Sequence, residues 1–210
     1  FASGFLGQAG AMFTASHNPA AYNGIKLCRS LARPIGSDTG LTQIRDLVAA
    51  GPPARAAVEG SIAQHDVLEA YAAHVLTLAP VRGRRLKVVV DAGNAMAGHT
   101  VPAVFDRLGT DRVELVPLYF ELDGTFPNHE ANPLEPANLV DLQRAVVAHG
   151  ADLGLAFDGD ADRCFVVDER GEPVSPSVLT ALIATRELAR QPGSTVIHNL
   201  ICSKAVPEVI

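Results

Sequence analysis

Apolar residues recur along this chain in short runs whose spacing alternates between strand-like and helix-like periods. Residues 9–14 form a small apolar run that predicts a strand. The run resumes at Ile25 after the turn signals Asn18-Pro19 and Tyr22-Asn23-Gly24, so two strands joined by a loop are expected, with Lys26 able to return near Ser16. Leu41, Ile44 and Leu47-Val48 keep a helical period, with Ser37 or Asp38 as the cap and Gly51-Pro52-Pro53 as the stop. A Pro/Ala/Gly-rich stretch to about Gly60 suits a linker. Val67, Leu68, Tyr71, Val75 and Leu76 then make a second helical stripe that Pro80 ends.

From Leu86 the alternation becomes regular: strand 86–90, helix 98–108 stopped by Gly109, strand 112–118, a helix capped by Asn138 and running to Gly150, and strand 152–157. A strand at 164–168, a turn, a helix at 178–188 and a new strand at 195–200 complete the pattern. This βαβαβ order predicts an α/β fold, with mixed, parallel-type sheets flanked by helices. The divisions expected are 1–63, 64–191 and 192–210.

Polar residues gather after each strand of that series: Asp91 and Asn94, then Asp123, Asn128, His129 and Asn132, then a run of aspartates. Ligands of open α/β sheets bind beyond the carboxyl ends of the strands, so one rim is the expected site. Phe157-Asp158-Gly159-Asp160-Ala161-Asp162-Arg163 places three carboxylates at alternate positions in a loop between two strands. Such charges repel unless a cation neutralises them, and carboxylate oxygens suit a hard ion such as Mg2+. Two alternatives stand beside this. A calcium loop of the EF-hand kind would use the same aspartates with Glu169 at its twelfth position, yet Arg163 occupies the position that needs Gly and the flanks are not helical. A solvated acidic hairpin is the other.

Composition narrows the partners. The 210 residues are 48% hydrophobic and carry a net charge of −6 without a dense Lys/Arg run, which argues against nucleic acid or an anionic membrane. Cys28, Cys164 and Cys202 are widely spaced with no C-x-x-C pair, as expected of reduced thiols in a cytoplasmic protein. No apolar run approaches the length of a membrane span. The chain starts on Phe and ends on Val209-Ile210 in mid-pattern, as a piece of a longer protein would.

A serine in a tight loop, a lysine with a return path and a carboxylate metal loop are parts suited to phosphoryl transfer through a phosphoserine. A serine hydroxyl needs a nearby base or cation to react, and Lys26 and Arg163 are the candidates. Thr14-Ala15-Ser16-His17-Asn18-Pro19, Asn23-Gly24-Ile25-Lys26, Asp123-Gly124-Thr125-Phe126-Pro127-Asn128-His129 with Asn132-Pro133, and the 158–163 loop together resemble the α-D-phosphohexomutase family, in its phosphomannomutase/phosphoglucomutase branch.

That resemblance implies two consecutive domains of a multi-domain mutase. The first lacks its opening strand, the second is complete, and only the start of a third is present. It implies a Ser16 phosphorylated in the resting enzyme, and a bisphosphorylated sugar, hexose 1,6-bisphosphate, as intermediate and activator. It further implies Mg2+ on Asp158, Asp160 and Asp162 with the Ser16 phosphate as a further ligand, and Lys26 as general base. His17 and Asn18 would shape the serine loop and Arg163 would contact its phosphate. Ala161 stands where the family more often has Gly.

The substrate implied is a hexose phosphate of mannose or glucose, and the family's sugar-specificity and distal phosphate loops are not among these residues, so the 210 residues alone are expected to be inactive. Phosphoglucosamine mutase, a Mg2+-dependent phosphatase and a non-catalytic binding module are the alternatives. His129 is expected either to serve the site or to bond only backbone. Asp91 and Asn94 are expected to tie loops, and Gly93 and Gly98 complete no dinucleotide fingerprint.

Overall fold

The computed structural model describes residues 1–210. A short helix, α1 (Ala2–Leu6), precedes strands β1 (Gly10–Phe13), β2 (Ile25–Arg29) and β3 (Arg33–Pro34), which form an antiparallel sheet in that order. The register sets Met12 opposite Lys26 and Phe13 opposite Ile25, so the 14–24 loop closes a hairpin and projects its residues from one end. Helix α2 (Leu41–Ala50) follows, with Gly40 at its amino end and no side-chain cap. Ser37 and Asp38 lie instead in a 3-10 turn just before it, which removes them from the capping position expected of them. No helix or strand forms between α2 and α3 (Leu68–Leu78).

The second sheet holds β4 (Leu86–Asp91), β5 (Val113–Leu118), β6 (Leu153–Phe157) and β7 (Cys164–Asp168) in the order β5-β4-β6-β7, with α4 (Ala97–Leu108) between β4 and β5 and α5 (Val140–His149) between β5 and β6. Strand β4 pairs parallel with β5 and β6, while β6 and β7 form an antiparallel hairpin. Alternation along β4 decides the two cores. Val88 and Val90 pack with Val101 and Val113 on the α4 side, while Val89 packs with Leu142 and Val146 of α5 on the other. Gly109 and the left-handed Gly150 end α4 and α5 where the sequence places their stops.

Helices α6 (Pro176–Arg190) and α7 (Ala205–Val209) pack on each other. Two further expectations fail. The apolar run at 195–200 forms no strand: Ile197 is 92% exposed and Leu200 fully so, and no neighbouring strand offers the run its hydrogen bonds. Asn138 does not cap α5, because it lies inside a 3-10 turn and its side-chain amide donates to the Asn132 carbonyl. No helix is long and apolar enough to cross a membrane.

Candidate active site

The carboxyl ends of β4, β5 and β6 open onto one rim, and the β6–β7 hairpin carries Asp158, Asp160 and Asp162 there. Ligand oxygens of the three lie within 4.8 Å of one another. Since the flanks are paired strands and Glu169 lies beyond the far end of β7, this is not a helix–loop–helix calcium site.

The serine loop meets this hairpin directly. A Cβ built on Gly159 would stand 2.1 Å from the Ser16 carbonyl oxygen, so the approach of the two loops requires glycine. Ser16 itself has φ 57, a left-handed conformation that costs a non-glycine residue about 1 kcal/mol and is stabilised here by its contacts. Its N–H donates to Thr14 Oγ1 at 2.9 Å, and Thr14 Oγ1 donates to Asp160 Oδ2 at 3.0 Å. The Ser16 hydroxyl donates to Asp158 Oδ2 at 3.0 Å.

Arg163 joins the two loops. Its Nε donates to Asp158 Oδ2 at 2.9 Å, its main-chain N–H donates to Asp158 Oδ1 at 3.0 Å, and its terminal nitrogen also contacts the Ser16 hydroxyl. The same nitrogen lies 2.6 Å from His17 Nδ1, which must therefore accept, leaving any ring proton on Nε2. Asn18 lines the cleft beside the loop, and its main-chain N–H closes a turn onto Ala15. Asp158 is fully buried, and a buried carboxylate demands this degree of pairing.

Lys26 comes from β2 and bonds the aspartates, not Ser16: Nζ lies 2.5 Å from Asp160 Oδ2 and 2.8 Å from Asp162 Oδ2. These hydrogen bonds, Asp160 first, hold its ammonium above the ordinary lysine value. Lys26 and Thr14 likewise hold the Asp160 carboxyl below its ordinary value, against the opposing effect of burial.

Asp160 Oδ1 is buried without a hydrogen-bond partner. An orphaned carboxylate oxygen is costly, and here it belongs to a cluster of oxygen-only donors. The donor set therefore fits a hard cation such as Mg2+. Above the loop lies a cleft of about 1010 Å3, lined on its polar side by Ser16, Asp160, Asp162 and Asp123 and on its apolar side by Phe13 and Phe126.

One pair went unread in the sequence. His129 does more than bond backbone: its Nε2 lies 3.0 Å from Oδ2 of the fully buried Asp91. Asn94 ties loops as expected, donating to the Glu121 carbonyl and accepting from Asn128. The signals available were that these residues all follow strand ends and that Asn128-His129 closes one of the motifs carrying the family resemblance; neither pointed to Asp91 as the partner.

Comparison with known proteins accords with this geometry. Residues 3–54 match the phosphoglucomutase/phosphomannomutase alpha/beta/alpha domain I model and residues 69–171 match domain II. A phosphomannomutase of Salmonella montevideo is 43% identical over 205 residues, covering 95% of this chain and 45% of that protein. Phosphohexose mutases of Xanthomonas campestris pv. campestris are 46% identical over 198 residues, covering 90% of this chain and 42% of theirs. The chain thus spans less than half the length of these curated relatives. A crystal structure of a phosphoglucomutase/phosphomannomutase family protein from Burkholderia thailandensis superposes with a TM-score of 0.82 at 35% identity, covering 96% of this chain and 43% of that one.

Proposed function

This chain belongs to the phosphoglucomutase/phosphomannomutase family, and we propose on that footing that it carries the phosphoserine and metal half of an enzyme interconverting hexose 1-phosphate and hexose 6-phosphate, of mannose or glucose. The observation that carries the reading is the Ser16 hydroxyl held between Arg163 and Asp158, one of three clustered carboxylates, in a loop that lines the cleft with Asp160 and Asp162. The divisions 1–63, 64–191 and 192–210 belong to the same proposal, as does a cytoplasmic setting.

Asp158, Asp160 and Asp162 would hold Mg2+, which supplies neutralisation of the charge on the transferring phosphoryl group. The chain's own residues do the rest. Arg163 orients Ser16 Oγ and donates to phosphate oxygens carried there. A neutral Lys26 amine, formed once the ammonium that Asp160 and Asp162 favour has lost its proton, takes the proton of the attacking sugar hydroxyl as the bond from phosphorus to Ser16 Oγ breaks and that to the sugar oxygen forms. Ser16 Oγ leaves as an alkoxide beside the Arg163 guanidinium and picks up its proton from solvent. In the reverse direction Lys26 returns the proton to the sugar oxygen. His17 and Asn18 keep the serine loop in its shape.

Peptide mapping after incubation with a hexose 1,6-bisphosphate and Mg2+ tests the assignment: stoichiometric phosphate is expected on Ser16. Phosphate on Ser175, Ser177 or a carboxylate, with none on Ser16, would overturn it, and a carboxylate adduct would favour a phosphatase of the aspartyl type. Asp160→Asn is expected to weaken Mg2+ binding on the order of tenfold by calorimetry, because one of three anionic ligands becomes neutral. An unchanged titration would return the loop to a solvated hairpin.

A further inference from the structure

We propose that His129, held by the buried Asp91, is a positioning residue that pins the 123–132 loop to the end of β4 and so fixes where Gly159 and the flanking carboxylates stand; its functional half rests on the reading of that hairpin as a divalent-cation site. Both ring nitrogens of His129 face pure acceptors: Nε2 the Asp91 carboxylate at 3.0 Å, Nδ1 the Glu130 carbonyl at 2.9 Å. Only the doubly protonated ring donates to both. Asp91 is fully buried, and its second oxygen accepts the Gly93 N–H at 2.9 Å, so the imidazolium is its one close cationic partner.

The loop transmits this anchorage by contact. Ala131, two residues on and buried, stands so close that a Cβ built on Gly93 would come within 3.2 Å of it. The Ala131 Cβ is also 3.9 Å from where a Cβ on Gly159 would stand, the residue whose backbone abuts Ser16. The Met96 N–H donates to the Gly159 carbonyl at 3.2 Å, so β4's trailing loop grips the metal hairpin at the same residue.

The groups facing His129 are few. Asp91 comes from β4. The Tyr119 ring, beyond β5, stands edge-on at 5.4 Å and donates its hydroxyl to Asp141 of α5, itself 3.8 Å from Arg144; Glu130 is adjacent in the loop. The Asp91 hydrogen bond raises the His129 value above its ordinary one, against burial. A raised value means that the pair's contribution is full below the unfolded histidine's pKa and is lost as pH rises through the folded one.

The test is an NMR pH titration of the metal-free chain. The Gly159 amide resonance is expected to follow the titration curve of the His129 ring, and His129→Gln, which keeps one N–H toward Asp91 without the charge, is expected to abolish that dependence. By calorimetry, His129→Gln should lower Mg2+ affinity roughly tenfold, with Asp91→Asn/His129→Gln no weaker than the worse single variant. A Gly159 resonance indifferent to His129, or a natively folded His129→Gln chain binding Mg2+ like its parent, overturns the proposal. A parent chain that binds no Mg2+ while Gly159 tracks His129 supports the anchorage and overturns the metal reading. The parent titration needs no variant, so a variant that fails to fold leaves the first arm decisive.

Discussion

Lys26→Ala, introduced into the intact gene product, is expected to slow phosphoryl transfer between hexose 1,6-bisphosphate and Ser16 by about 10²- to 10⁴-fold, the usual contribution of a positioned acid or base. Nζ is fixed by β2 over Asp160 and Asp162, two carboxylates that line the cleft together with Ser16. Its ammonium is shared between the two carboxylates, and on the proposed reading it gives the proton that transfer onto serine requires. Lys26→Arg separates the roles, since the guanidinium keeps the charge and the grip on phosphate but does not give up its proton. Rapid-quench measurement of Ser16 phosphorylation should find both variants slow. Near-parental transfer in Lys26→Arg would reassign the residue to holding phosphate by charge alone.

What the sequence made legible follows from the range of each interaction. Strands β4 to β7 and helices α4 and α5 were readable because each buries a periodic apolar face, and Gly109 and Gly150 are local stops. The acidic loop was readable because its three carboxylates fall within five residues. The apolar run at 195–200 misled because strand propensity yields a strand only where a neighbour supplies the ladder. The caps expected of Ser37, Asp38 and Asn138 failed because short 3-10 turns occupy those positions, a choice that no side-chain pattern specifies. Long-range partners were silent: Ser16 meets Arg163 across 147 positions and His129 meets Asp91 across 38, and periodicity carries no information about either. For Ser16, Lys26 and Arg163 the family resemblance supplied what periodicity lacked. Nothing comparable pointed to the His129 anchor.

Arg163→Met should be the most damaging change to the fold of the site. Asp158 has no exposed surface, and Arg163 is the only cation paired with it, through side chain and main chain together. Removing one partner of a buried pair leaves a charge that the interior cannot solvate, at a cost of about 3 to 5 kcal/mol. The main-chain N–H of residue 163 and the Ser16 hydroxyl still bond Asp158 in the variant, which places the expected loss near the lower end. Urea denaturation of parent and variant in metal-free buffer measures it as a drop in midpoint at constant slope. Saturating Mg2+ should restore part of the difference, because a cation on the same carboxylates supplies the neutralisation the guanidinium gave. Arg163→Lys should recover little, since an ammonium cannot span Asp158, Ser16 and His17 in one fork. An unchanged midpoint in Arg163→Met would mean that Asp158 is neutral in the folded chain, and the metal reading would lose one of its three anionic ligands.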